Sequence, residues 1–273
     1  MLDLHSHTTY SDGTLTPSAL VKLAIKSGLH ALAITDHDTL FGCSEAQEAA
    51  AGTNLEVVPG VELSTIHNGR SLHVLGYYPN VEKLQPILNQ RIQGRYRRAE
   101  AMVAKLAELG YPIELPQLGE GIAPGRPHIA QALVKAGHVK TVEAAFSRWL
   151  RDDGVAYVAY EPLTAVEGIQ LLRDCGAVPV WAHPYLFRGG TVEEVLPELV
   201  KAGLMGLEVD HPSHSVKQRL KLREWVRQWD LLRTGGSDYH GTTQNGIEVN
   251  SLNSFKLSLD LLLPLKEASG LGS

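Results

Sequence analysis

Histidine and carboxylate residues dominate the polar chemistry available to this chain. It carries 12 histidines but only two cysteines, Cys43 and Cys175, which have no CxxC spacing. Imidazole and carboxylate oxygen without thiolate suit manganese, iron or zinc rather than calcium or a structural thiolate zinc. His5-Ser6-His7 places two imidazoles at i and i+2. On an extended backbone such residues share a face and can reach one cation. Asp238-Tyr239-His240 repeats the spacing with one carboxylate and one imidazole. Ser11-Asp12-Gly13 sets a carboxylate in a turn near the first pair, with Gly13 free to take a positive φ. The cysteines read as buried, reduced and structural.

These residues recur at one kind of place. Short apolar runs, each read as a strand, stop at His5/His7, at Asp36/His37, at Glu62, at His183, at Asp210/His211 and at Asp238/His240. Helical stretches separate the runs. Thr16 caps a first helix that has Pro17 in its opening turn and Gly28 as its stop. Further helices are predicted near 44–51, 165–174, 192–202, 215–229 and 257–268, and a strand over 72–77. Strand, polar loop, helix, strand is the rhythm of a parallel α/β fold. About seven strands favour a closed or nearly closed barrel over a doubly wound sheet. In a parallel barrel the C-terminal strand ends converge on one rim, so donors far apart in sequence would face one another. Any one of these motifs is weak evidence, and their joint placement at successive strand ends carries the inference.

Residues 83–157 interrupt the rhythm. A basic helix from Asn89 to Leu109, a Pro/Gly-rich turn at 124–127 and more helix over 128–150 read as a small helical insertion, too long for a simple loop. The barrel is therefore expected from 1–82 together with 158–273, with 83–157 inserted as a substrate-capping domain. Arg91, Arg95 and Arg98 share a face of the basic helix, which could guide a longer anionic substrate but reads better as a solvated charged surface.

Composition narrows the function. A formal net charge of −5 argues against a general nucleic-acid binder, double-stranded DNA included, but not against a small phosphorylated ligand held by a few placed cations. No apolar run approaches the ~20 residues that cross a bilayer. The opening Met-Leu-Asp-Leu-His does not resemble a signal peptide, so a cytoplasmic location is expected and no membrane partner. No GxSxG or reactive-cysteine signature offers a protein nucleophile.

The motifs Leu4-His5-Ser6-His7-Thr8-x-x-Ser11-Asp12-Gly13, Ala33-Ile34-Thr35-Asp36-His37-Asp38-Thr39 and Pro59-Gly60-Val61-Glu62-Leu63-Ser64 closely resemble the PHP (polymerase and histidinol phosphatase) family. His73, Ala182-His183-Pro184 and Gly236-Ser237-Asp238-Tyr239-His240-Gly241 follow in family order over nearly the whole chain. The resemblance implies a distorted (β/α)7 barrel with up to three divalent metal ions, Mn²⁺ favoured and Fe²⁺ or Zn²⁺ as alternatives. It implies that His5, His7, Glu62 and Asp238 surround one metal. Glu62 would bridge to a second, shared with His73 and His183, and Asp12, His37 and His240 would hold the third. None of these nine positions is missing.

Within the family, the helical insertion, Gly125-Arg126-Pro127-His128 and Glu208-Val209-x-His211-Pro212-Ser213-His214 resemble one branch. Its members remove phosphate from nucleoside 3′,5′-bisphosphates, and relatives trim short RNA from the 5′ end. That resemblance assigns Arg126 and His128 to the substrate's second phosphate, and His211 and His214 to the phosphate or leaving group. Asp210 departs from the branch pattern. The expected partners are thus a small phosphorylated nucleotide or short RNA, with the oligomeric state left open. Asp36 and Asp38 read equally as orienters of ligand imidazoles or as caps of the following helix.

Three rivals stay open at this point. A histidinol-phosphate-type phosphatase would share the metal ligands without needing Arg126 and His128. An amidohydrolase-like C–N hydrolase also begins with HxH, but many use lysine where Glu62 stands. A non-catalytic nucleotide-binding PHP module should have lost ligands that this chain keeps.

Overall fold

Helix starts follow the capping chemistry written in the sequence. In the computed structural model, which describes residues 1–115, 124–151, 153–159, 163–242 and 250–271, helix α1 (Pro17–Lys26) begins at Thr16. The Thr16 hydroxyl accepts the Ala19 N–H, and Gly28 closes the helix at φ 74°. Helices α6 (Ala165–Asp174), α7 (Val192–Lys201) and α8 (Val216–Gln228) each open with a reciprocal capping box, Thr164/Glu167, Thr191/Glu194 and Ser215/Gln218. Helix α2 (Phe41–Ala50) has no side-chain cap.

The chain divides into two compact units, Met1–Pro86 with Pro162–Ser273, and Ile87–Glu161. The first is built on seven strands in chain order: β1 (Leu2–Asp3), β2 (Ala31–Ile34), β3 (Glu56–His67), β4 (Arg70–Tyr77), β5 (Val178–Trp181), β6 (Gly206–Asp210) and β7 (Leu232–Gly235). The sheet nearly closes into a barrel. The segment after β1 meets the end of β7 and the segment that follows it, where the Leu4 N–H donates to the Gly235 carbonyl at 3.1 Å and the His7 N–H to the Tyr239 carbonyl at 2.8 Å. Leu2, Leu4, Ala31, Ala33, Val58, Leu75, Tyr77, Val178 and Val180 form one buried cluster, with the Tyr77 hydroxyl donating to the Leu4 carbonyl. Cys43 is buried, and burial pushes its thiol up to about 12, so it is inert.

One expectation is corrected. The sheet is mixed: β4 runs antiparallel to both β3 and β5. Its cause is local. Asn68 and Gly69, at φ 48° and 70°, join β3 to β4 as a two-residue loop between the paired His67 and Arg70. Asn-Gly with both residues left-handed is the preferred tight hairpin turn. Glu62 consequently lies within a 12-residue strand, not at a strand end.

The second unit has its own core. Ala99, Met102 and Leu106 of α3 (Val81–Glu108) pack with Ile129, Ala130 and Leu133 of α4 (Arg126–Lys135) and with Trp149 and Leu150. A short helix, α5 (Val142–Ala145), continues into one π-type turn over Phe146–Leu150. The face expected to be solvated is partly engaged, since the Arg98 Nε–H donates to the Val158 carbonyl at 2.8 Å and its guanidinium lies over the Tyr157 ring.

Candidate metal centre

Glu62 gathers the site. Its Oε1 lies 2.8 Å from His73 Nδ1 and 2.9 Å from His183 Nε2. Its Oε2 lies 3.1 Å from His5 Nε2, 3.1 Å from His7 Nε2 and 3.4 Å from His37 Nδ1. Five imidazoles from four separate segments thus meet one carboxylate that is 1% exposed. Strand geometry explains the β3–β4 part. Glu62 pairs with Leu75 and Ser64 with His73, so Glu62 and His73 are diagonal neighbours on one face of the hairpin.

Asp238 supplies a second anionic pole. Its Oδ1 is 3.3 Å from His5 Nε2 and 3.2 Å from His7 Nε2, and its Oδ2 is 3.2 Å from His211 Nε2. Asp12 completes a third group, 3.2 Å from His240 Nε2, 3.6 Å from His7 Nδ1 and 3.7 Å from His37 Nε2. All nine residues expected to ligate metal therefore lie in one connected cluster. Candidate donor atoms fall into compact sets: His5, His7, Glu62 and Asp238; His7, Asp12, His37 and His240; His37, Glu62 and His73; and His5, Glu208 and His211.

Hydrogen bonds fix which nitrogen faces inward. His5 Nδ1–H donates to Glu208 Oε1 at 2.9 Å, which leaves the neutral ring's Nε2 lone pair facing Glu62 and Asp238. His240 Nδ1–H donates to the Asp238 carbonyl at 2.9 Å, which aims its Nε2 lone pair at Asp12. Lone pairs opposed to carboxylate oxygens repel unless a positive charge lies between them, and second-partner N–H bonds of this kind are how metal-ligating histidines are oriented. His7 Nε2, His37 Nδ1 and Asp238 Oδ1 are also buried without a hydrogen-bond partner. The residues present fit divalent cations.

The electrostatics agree. Burial alone would depress the His7 pKa, but Asp238 and Glu62 overcome it and hold the ring at about 10. Burial pushes His37 down to about 4. Burial opposes ionisation of Glu62, yet His37, His5 and His73 keep it well below the usual carboxylate range. Asp238 is likewise depressed, by His5, His211 and His7 against the cost of burial. So much converging negative charge on nitrogen lone pairs attracts any cation, a proton included.

A scan with family profiles matches the PHP domain over residues 3–105. A 5′-3′ exoribonuclease of Haemophilus influenzae is 34% identical over 247 residues, covering 87% of this chain and 89% of that protein. The chain belongs to the PHP family. A 3′,5′-nucleoside bisphosphate phosphatase of Chromobacterium violaceum is 29% identical, covering 91% of this chain and 90% of that protein. A solved structure from Bifidobacterium adolescentis, assigned provisionally as a metal-dependent phosphoesterase, superposes with a TM-score of 0.77 at 34% identity, covering 98% of this chain and 96% of that one. This PHP chain is accordingly a metal-dependent phosphoesterase with a distorted TIM-like barrel.

Two residues of the PHP barrel have roles that the linear motifs conceal. Glu208 sits in the middle of β6, fully buried, with Oε1 on His5 Nδ1 and Oε2 accepting the His183 backbone N–H at 2.7 Å. The available signal was a lone carboxylate inside the apolar run Leu207-Glu208-Val209. Asp210, two residues on, does not join the cluster: Arg223 and Arg233 clamp its carboxylate. Residues i and i+2 of a strand normally share a face, and a bulge between Glu208 and Asp210 turns the second away.

Asp36 neither caps α2 nor touches a ligand ring through a hydrogen bond among the described contacts. It accepts the Thr8 N–H and O–H and the Ser11 O–H, and so ties the loop after β1 to the end of β2. Asp38, at φ 55°, accepts the Ser64 N–H at 2.8 Å.

His211 and His214 lie beside the cluster, with ring centroids 5.3 Å apart. In the second unit, the Arg126 guanidinium donates to the Leu150 carbonyl and lies over the Phe146 and Tyr157 rings. His128 Nδ1 accepts the Gly125 N–H at 3.0 Å.

Glu208→Gln tests the orienting role. An amide has one acceptor oxygen, so it cannot serve both His5 Nδ1–H and the His183 N–H. Metal affinity is expected to fall about 10- to 100-fold, the usual cost of losing a partner behind a ligand histidine. Metal titration and ¹⁵N NMR of the His5 ring read the result, and an unchanged tautomer with unchanged affinity would remove the role.

Proposed function

We propose that this phosphoesterase removes phosphate from nucleoside 3′,5′-bisphosphates and trims short 5′-phosphorylated RNA from its 5′ end. The observation that carries the reading is the cluster of nine imidazoles and carboxylates centred on Glu62 as one of them, in a chain similar over most of its length to proteins named for those two activities. In this reading His5, His7, Glu62 and Asp238 hold one metal. Glu62, His73 and His183 hold a second, and Asp12, His37 and His240 a third. The borderline nitrogen and oxygen donor set favours Mn²⁺, with Fe²⁺ or Zn²⁺ as alternatives. Bound divalent cations would supply an acidified water near neutral pH and neutralise charge on phosphate oxygens.

The chain's own groups supply orientation and proton placement. Glu208 holds His5 with its proton on Nδ1. The Ser213 backbone N–H donates to His211 Nδ1, so a neutral His211 keeps its proton on Nε2 beside Asp238. That N–H suits a phosphate or leaving-group oxygen. His214 is wired the other way. Its Nδ1–H donates to the Val209 carbonyl, and burial lowers its pKa, so the ring stays neutral with an unpartnered Nε2 lone pair. A lone pair accepts from a hydroxyl and repels a phosphate oxygen, so of the two histidines His211 is the one suited to phosphate.

Arg126 and His128 take the second phosphate in this scheme, because a guanidinium binds phosphate in a two-pronged fashion, and the insertion serves as the substrate cap. Arg126→Ala should lower kcat/KM for adenosine 3′,5′-bisphosphate roughly 10- to 100-fold, the scale of a lost charge-assisted bond, and affect a simple monoester far less. Equal loss on both substrates would remove the role. A cytoplasmic location suits such substrates, and no helix among the described residues is long and apolar enough to cross a membrane.

The deciding experiment is a phosphate-release screen with Mn²⁺ over nucleoside bisphosphates, short 5′-phosphorylated RNA and histidinol phosphate. Preference for the first two supports the reading. Preference for histidinol phosphate overturns it.

A further inference from the structure

Two aromatic side chains ride on the loops that carry the metal-type residues and take no part in the chemistry above. Tyr10 lies between His7 and Asp12 in the loop after β1, and Phe41 opens α2 four residues after His37. Their ring centroids are 6.5 Å apart, tilted by 41°. Phe41 leaves 38% of its surface in water, and Tyr10 is half-buried. A single exposed apolar side chain needs no explanation. Two aromatic rings held together beside a polar phosphate-hydrolysing site are different, because paired rings are a surface for a flat, weakly polar ligand.

The pair is held in place. Asp36 accepts the Thr8 N–H at 2.7 Å, the Thr8 O–H at 2.7 Å and the Ser11 O–H at 2.6 Å, which locks the Tyr10 loop against the residue preceding His37. Leu40 and Thr39, at 3% and 1% exposure, anchor the start of α2 beneath Phe41. Gly42 permits the close approach. A Cβ there would meet Asp36 Oδ2 at 2.6 Å and the Tyr10 ring at 3.4 Å. The backbone that carries both rings is therefore held relative to His7 and His37.

We propose that Tyr10 and Phe41 form a stacking platform for a nucleobase of the substrate. The inference rests on the nucleotide reading above and names the part of the nucleotide that this edge of the site takes. Every base has a π-face, so such a platform selects nucleotides over other phosphate esters without selecting among sequences. That tolerance fits an enzyme that meets a different base at each turnover.

The test compares KM for adenosine 3′,5′-bisphosphate with KM for its abasic 1-deoxyribose counterpart, in Mn²⁺-loaded enzyme. The variants are Phe41→Leu and Tyr10→Leu, which keep apolar bulk, and Phe41→Tyr and Tyr10→Phe, which keep an aromatic face. Thermal midpoints are read alongside. Each leucine variant should narrow the preference for the base-bearing substrate roughly tenfold, the scale of one lost base–aromatic contact, and the aromatic swaps should restore it. An unchanged ratio in the leucine variants, or equal loss on both substrates, overturns the platform. No phosphate release from either bisphosphate by the unsubstituted enzyme overturns the nucleotide reading itself, and the platform with it.

Discussion

Glu62→Gln is expected to abolish turnover, with a loss of at least about a thousandfold, and to strip the protein of metal. The reason is coordination rather than volume, since the amide is nearly isosteric. Both Glu62 oxygens are engaged, Oε1 by His73 and His183, and Oε2 by His5, His7 and His37. A neutral amide offers one acceptor and turns two N–H donors toward nitrogens whose lone pairs should face a cation. Losing one preorganised electrostatic stabiliser already costs about 100- to 1000-fold in turnover, and this change removes an anionic ligand common to two proposed metal positions. Metal content by mass spectrometry and single-turnover phosphate release would measure the effect. A variant that retains metal and more than a tenth of its turnover would contradict the assignment of Glu62 as the bridge.

Gly236→Ala is expected to cost on the order of 3 kcal/mol of stability or more, at the upper end of overpacking effects, and to lose most activity without touching a donor atom. A Cβ at position 236 would fall 2.4 Å from the His5 nitrogen, 2.5 Å from His5 Cβ and 2.8 Å from Asp3 Oδ1. Two of those neighbours belong to the His5 main chain and Cβ, so no rotamer change relieves them. The first and last strands must separate where the barrel nearly closes. Asp3 also accepts the Ser237 N–H at 2.8 Å, so the displaced segment carries Asp238 with it. Urea unfolding and metal titration together check the expectation. A shift in neither would mean that the seam yields more easily than its backbone contacts imply.

The reach of local sequence shows in particular residues. Thr16, Thr164, Thr191 and Ser215 announce their helices because a cap acts within three residues of itself. His5, His7, His37, His183 and Asp238 are legible as a set because each follows a short apolar run, and a barrel brings such ends together. Asn68-Gly69 is a local hairpin signal as well, and it is the residue pair that turns β4 against the parallel rhythm of the other strands. Glu208 was hidden, because a carboxylate inside an apolar strand can face either an active site or a surface arginine. Asp210, two residues away, faces the arginines.

Residue type and order along the chain settle the donor atoms, the absence of thiolate pairs, the starts of the helices capped by Thr16, Thr164, Thr191 and Ser215, and the succession of strands, since each depends on near neighbours. Folding in three dimensions decides which nitrogen of His5 faces inward, because its partner Glu208 lies 203 residues away. It likewise decides that a bulge sends Glu208 and Asp210 to opposite sides. These outcomes come from barrel closure and from contacts between distant segments, and no local window of sequence contains them.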